Sequence, residues 1–200
     1  MRRTIFDTPV VSHLLYAVAW LFLRLTGWRT YGSPPDLPKF VVIGAPHTSN
    51  WDFVFCIVFA FIYRRKIFWM GKSSLFRFPF GFIFRWMGGI PIDRSKAHGV
   101  VAQTIEKFNS TDRLILVLAP EGARKRVTKW KTGFYHVAYG AGVPISVAFL
   151  DYKKRLAGFG LLFTPTGDID ADMCQITDFY ATVTGRHPNK FSTPEEKHSD

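Results

Sequence analysis

Acidic residues are scarce in this chain, and cysteines are scarcer. Twenty-six Lys and Arg stand against 15 Asp and Glu, a formal net charge of +11. The deficit is local. Residues 1–150 hold 20 basic against 7 acidic residues, whereas residues 151–200 hold 6 against 8. A basic chain rich in aromatics suits a polyanionic partner, either nucleic acid or an anionic membrane surface. The two cysteines, Cys56 and Cys174, have no CxxC spacing. They imply no disulfide framework and no zinc site, which fits a reducing compartment. Cys56 lies in an apolar run and reads as a small buried hydrophobe. The six histidines share no metal-ligand pattern with Cys, so no metal is expected.

A long hydrophobic run is lacking as well. Val10 to Leu23 is largely apolar and is flanked by Arg2-Arg3 and Arg24, but it carries His13 and falls short of the roughly 20 residues that span a bilayer. No small-x-small cleavage site follows it, so a signal peptide is not the expected reading. Trp20, Trp28 and the flanking arginines suit a helix lying in the membrane interface. A short or tilted span and a buried core helix are the alternatives. There is no internal repeat and no low-complexity tract.

Twenty Phe and six Trp in 200 residues supply ample core for one domain. After the linker Ser33-Pro34-Pro35-Asp36-Leu37-Pro38, elements alternate. Strands are expected at 40–44, 67–70, 89–92, 114–118, 143–149 and 160–163, and helices at 51–63, 96–109 and 133–141. The pattern predicts an α/β fold with a mixed, largely buried sheet flanked by helices. The expected organisation is an N-terminal membrane-interfacial helix over 1–32, an α/β domain over 33–192 and a disordered tail over 193–200.

Polar groups collect at strand ends, where ligands bind in α/β sheets. His47 and Asp52 follow the apolar run Phe40-Val41-Val42-Ile43-Gly44. On one continuous helix, five residues advance about 500° and leave two side chains roughly 140° apart. The pair meets only if His47 lies in the turn after the strand and Asp52 in the first turn of a helix capped by Ser49 or Asn50. A carboxylate on one imidazole nitrogen would then make the other a general base. Taken alone, the pair reads first as a loop histidine and a helix-start carboxylate favoured by the helix dipole. Three further stretches follow: Gly89-Ile90-Pro91-Ile92-Asp93-Arg94, Pro120-Glu121-Gly122-Ala123-Arg124 and Val143-Pro144-Ile145. From Ala123 to Lys131 there are five basic residues and no acid. Arg94, Arg124 and Lys131 are anion ligands if they converge, and otherwise a solvated basic surface. The alternation Phe76, Phe78, Phe80, Phe82, Phe84 and Trp86, interleaved with Arg77 and Arg85, fits an acyl groove, a lipid contact or ordinary core.

In order and approximate spacing, these four stretches resemble the four motifs of the glycerolipid acyltransferase family, typified by 1-acylglycerol-3-phosphate (lysophosphatidate) acyltransferases. The likeness covers about residues 40–150. It implies a membrane-associated O-acyltransferase that moves a fatty acyl chain from acyl-CoA or acyl-carrier protein to a lysophospholipid hydroxyl. His47 would be the base and Asp52 its orienting partner. Arg94, Glu121, Gly122, Arg124 and Lys131 would bind the acceptor, and Pro144 would belong to the acyl side. No cofactor beyond the acyl donor, and no nucleic acid, is implied. The expected location is the cytoplasmic face of the cell membrane. Ala123 stands where the family usually has threonine, Val147 where a second proline is common, and Thr48 and Trp51 vary the first motif. These departures bear on the acceptor, so an acyltransferase for another lysolipid stays open. So do a hydrolase and a non-catalytic binder of anionic membranes or nucleic acid.

Overall fold

The central strands are apolar on both sides because both of their faces are covered. In the computed structural model, which describes residues 2–92 and 97–194, seven strands form one sheet in the order β1-β7-β6-β2-β5-β3-β4. Their ranges are β1 Arg29–Tyr31, β2 Lys39–Ala45, β3 Phe68–Lys72, β4 Gly89–Ile92, β5 Leu114–Leu118, β6 Ile145–Asp151 and β7 Leu156–Phe163. The strands β6, β2, β5, β3 and β4 run parallel, and β7 returns antiparallel to β6 with β1 parallel beside it. The sheet is therefore mixed, as the sequence predicts.

Period-two alternation divides the core between two layers. Val41, Ile43, Leu114, Leu116, Ile145 and Val147 point to one face. There they meet α5 (Gly133–Ala141) and α6 (Ile169–Ala181) through Phe134, Val137, Ala138, Ile176 and Tyr180, and α4 (Ala97–Asn109) packs on α5. Phe40, Val42 and Ile115 point to the other face, against Ala60 of α2 (Trp51–Ile62). The outer side of α2 packs on α1 (Val11–Thr26), where Leu23 joins Phe55 and Phe59. Among the described residues no helix is long and apolar enough to cross a membrane. At about 1.5 Å per residue, α1 reaches only about 24 Å. Gly27, in the left-handed conformation with φ 71°, ends it by returning its N–H to the Leu23 carbonyl.

Element boundaries depart from expectation where backbone approach overrides pattern. β7 starts at Leu156, four residues before the expected 160. Gly158 hides that start: a Cβ there would stand 1.8 Å from the Tyr31 carbonyl oxygen of β1. The aromatic alternation at 76–86 is assigned no element by the sequence. It folds as a 3-10 turn, Ser73–Phe76, followed by α3 (Gly81–Trp86). The helix α6 lies in a stretch read without structure, although Asp168 caps it by accepting the Ala171 N–H at 3.1 Å and Asp170 and Asp172 fill its first turn. Most of the tail expected to be disordered, residues 195–200, lies outside the described residues.

Tyr180 ties the sheet to α6. Its fully buried hydroxyl sits 2.9 Å from the Ile43 carbonyl of β2 and 2.7 Å from the Ala148 carbonyl of β6, and donates between them. Tyr180→Phe keeps the ring and removes that donor. Equilibrium urea unfolding is expected to show a loss of about 1–2 kcal/mol, whereas an unchanged midpoint would mean the hydroxyl contributes nothing.

Candidate active site

Parallel strands deliver their carboxyl ends to one edge of the sheet, and the polar groups of interest sit just past them. His47 follows β2, Glu121 follows β5 and Tyr152 follows β6. Pro46 ends β2, and the chain turns through His47-Thr48-Ser49 before α2 begins at Trp51. This is the turn-then-helix arrangement that the spacing requires. Asn50 makes no side-chain cap, and Ser49 Oγ instead accepts the Trp51 N–H at 3.2 Å.

Asp52 in the first turn of α2 is 5% exposed and surrounded by donors. Its Oδ2 accepts the Thr48 and Ser49 N–H groups, each at 2.7 Å. Its Oδ1 accepts the Tyr152 hydroxyl at 2.7 Å. The His47 Nδ1 stands 3.5 Å from Oδ2, a longer approach because two backbone donors already hold that oxygen. Burial pushes the Asp52 carboxyl up, but the bonds from His47, Tyr152 and Ser49 outweigh it and hold the group below its ordinary value. Asp52 is thus a fixed negative charge. The His47 ring is 27% exposed, so with Nδ1 turned to Asp52 its Nε2 faces the open side.

Glu121 is shifted the other way. It is 2% exposed, and its Oε1 accepts the His47 backbone N–H at 2.7 Å. Its Oε2 is buried with no hydrogen-bond partner among the described residues. Burial, reinforced by the Asp52 charge, raises its carboxyl to about 7 against the pull of His47. Gly122 takes φ 66° directly after it, and a Cβ there would come within 2.9 Å of Lys131 Cδ and Cε. The Lys131 stem lies over this turn, and its N–H donates to the Pro120 carbonyl at 2.8 Å. Arg124 and Lys131 are exposed at this edge and form no ion pair with a described residue.

One expected site residue, Pro144, stands apart from this cluster. Pro144 precedes β6, at the far end of the strand from Tyr152, and its carbonyl accepts the Val41 N–H at 3.0 Å. With Val41 level with Ile145 and Ala45 level with Phe149, Pro144 stands about 17 Å along the sheet from the edge that carries His47. Arg94 lies outside the described residues. In return, the structure adds groups that motif reading did not select. The segment 184–187 straps the His47 turn: the Thr184 carbonyl accepts the Tyr152 N–H at 2.9 Å, and the His187 N–H donates to Thr48 Oγ1 at 3.2 Å. The Arg186 guanidinium lies 5.4 Å from the Trp51 ring centre and 5.9 Å from that of Tyr152. Tyr152 had a signal, since it closes an apolar strand at the same edge. Arg186 had none.

Residues 34–148, more than half of the chain, match a family model described as acyltransferase. The chain is 36% identical over 106 residues to a 1-acyl-sn-glycerol-3-phosphate acyltransferase of Haemophilus influenzae, a stretch covering 50% of this chain and 42% of that protein. The corresponding Escherichia coli enzyme is 36% identical over 108 residues, with the same coverage. The match thus spans less than half the length of these curated relatives. The crystal structure of the 1-acyl-sn-glycerophosphate acyltransferase PlsC from Thermotoga maritima superposes with a TM-score of 0.53 at 18% identity, covering 80% of this chain and 71% of that one. The likeness to that structure is one of fold.

The raised Glu121 carboxyl has a consequence for stability. A group that holds its proton more tightly when folded stabilises fully below its unfolded value of 4.5 and loses that contribution as pH rises through about 7. Glu121→Gln keeps an oxygen for the His47 N–H but cannot ionise. Between pH 4.5 and 8, urea unfolding should show wild type losing on the order of 2–3 kcal/mol relative to this variant. Parallel stability curves would contradict a proton-holding Glu121.

Proposed function

The chain belongs to the acyltransferase family, and we propose that it transfers a fatty acyl chain from a thioester, acyl-CoA or acyl-carrier protein, to the hydroxyl of a 1-acylglycerol-3-phosphate-like lysophospholipid. The observation that carries this reading is the His47 imidazole held between a caged Asp52 carboxylate and open solvent. His47 Nε2 takes the proton of the acceptor hydroxyl as its oxygen attacks the thioester carbonyl. The tetrahedral intermediate collapses by breaking the C–S bond, and the imidazolium returns the proton to the departing thiolate. Asp52 stays ionised throughout, fixing the ring and stabilising its charged form. The thioester is already activated, so this chemistry calls on no further cofactor.

The acceptor's phosphate would meet Arg124 and Lys131 on the loop that Glu121 and Gly122 shape, with Arg94 added from the sequence pattern. Pro144 would serve the acyl side only through the β2–β6 pairing, given its place at the other end of β6. The proposed place of action is the cytoplasmic face of a membrane; the amphiphilic substrates and α1 support the association with a membrane. That helix exposes Leu14, Val18, Leu21 and Leu25 along one stripe.

Incubating the purified protein with labelled acyl-CoA and a lysophospholipid panel, read by mass spectrometry, should show the label on lipid. Label recovered only as free fatty acid would instead mean hydrolysis. His47→Ala should cut thiol release by roughly 10²–10⁴-fold, and retained turnover would sink the mechanism. Tyr152→Phe leaves Asp52 its backbone donors. It should lower kcat by about tenfold, about 1.4 kcal/mol in the barrier, with KM near that of wild type.

A further inference from the structure

We infer that the segment Ser73–Trp86 is a rigid knob that inserts into an anionic lipid bilayer and sets the catalytic edge against it, an inference that rests on the membrane reading above. Its aromatic rings divide into two sets. Phe76 and Phe84 turn inward onto Trp69 of β3, with ring centres 5.8 Å and 6.2 Å from it. Phe78, Phe80 and Phe82 turn outward and are 97%, 64% and 69% exposed. Three neighbouring large rings in water make an apolar patch that a monomer in solution does not favour. The turn behind them is closely packed. A Cβ on Gly81 would stand 2.0 Å from the Phe76 carbonyl oxygen, and the Arg85 guanidinium stacks on the Phe76 ring at 5.3 Å.

Charge selects the occupant. Residues 67–92, from β3 through the knob to β4, contain no Asp or Glu and three Lys or Arg. Lys72 and Arg77 flank the exposed rings and are themselves exposed. Apolar rings rimmed by uncompensated positive charge suit an interface of anionic headgroups over acyl chains.

Topology selects the consequence. The knob leaves the carboxyl end of β3, the same sheet edge that carries His47 past β2 and Glu121 past β5. Phe53, in the first turn of α2 beside Asp52, lies 4.7 Å from the Trp69 ring on which the knob is seated. The C-terminal end of α1 reaches the same edge, because Trp28 just after it packs on Tyr152 at 5.0 Å. A knob sunk to its phenylalanines would hold the His47 side of the protein at headgroup depth, where a lysolipid presents its hydroxyl.

Sedimentation of the full chain with two kinds of vesicle tests this: equal parts phosphatidylcholine and phosphatidylglycerol, and phosphatidylcholine alone. The F78S/F80S/F82S variant, whose inward rings are intact and whose circular dichroism should match wild type, is expected to lose roughly tenfold or more of the binding to mixed vesicles. K72Q/R77Q should weaken that binding by roughly fivefold per charge and leave phosphatidylcholine binding unchanged. Mixed-vesicle binding by the triple variant equal to that of wild type overturns the knob and leaves α1 as the anchor. Wild type that binds neither vesicle overturns the membrane reading itself, and the knob with it.

Discussion

The buried Asp52 carboxylate is the constraint on which the His47 edge of the sheet depends. An ionised group 5% exposed is costly unless several donors replace its water. The replacement comes from separate parts of the chain: the Thr48 and Ser49 N–H groups from the turn after β2, Tyr152 from the end of β6, and His47. Satisfying one charge therefore fixes the conformation of the 47–52 turn and the seating of α2, and ties the β6–β7 connection to both. The strap at 184–187 locks the same turn from outside through Thr48 and Tyr152. The orientation of His47 follows from these contacts.

The two carboxylates at this edge are driven apart by the number of donors each one receives. Asp52 lies below its ordinary value, while Glu121, which among the described residues has a single donor and one bare buried oxygen, rises to about 7. Asp52 supplies permanent charge next to the imidazole. Glu121, through the His47 N–H, fixes where the imidazole is anchored. Because the negative charge of Asp52 is itself among the causes that raise Glu121, the two roles are coupled, and neither residue could replace the other.

Much of this was legible in the sequence, and the rest was hidden for identifiable reasons. Strands β4 and β5 and helix α5 fall on the expected residues because Gly, Pro or polar residues bracket clear apolar runs there. The His47–Asp52 turn was legible because its spacing excludes a continuous helix. The phenylalanine alternation from 76 to 84 left core and surface roles open, and the structure divides them, with Phe76 and Phe84 packed on Trp69 and Phe78, Phe80 and Phe82 exposed. Helix α6 carried a cap and an acidic first turn, yet its single apolar face was too sparse for its period to stand out. Tyr152 and Arg186 join the site only through tertiary contact, from beyond the stretch in which the motifs lie. Pro144 shows the converse, because a place in a motif does not bring a residue to the edge where the other motifs meet.

The proposed mechanism requires Asp52 to hold the proton on His47 Nδ1, which leaves Nε2 bare to act as base. Nitrogen-15 NMR of the histidine side chains, with His47 assigned by substitution, reads this tautomer directly in the resting protein at a pH where the ring is neutral. An Nδ1–H tautomer is expected to dominate in wild type and to lose that dominance in Asp52→Asn. A dominant Nε2–H tautomer in wild type, or a population indifferent to Asp52, would contradict the proposed mechanism.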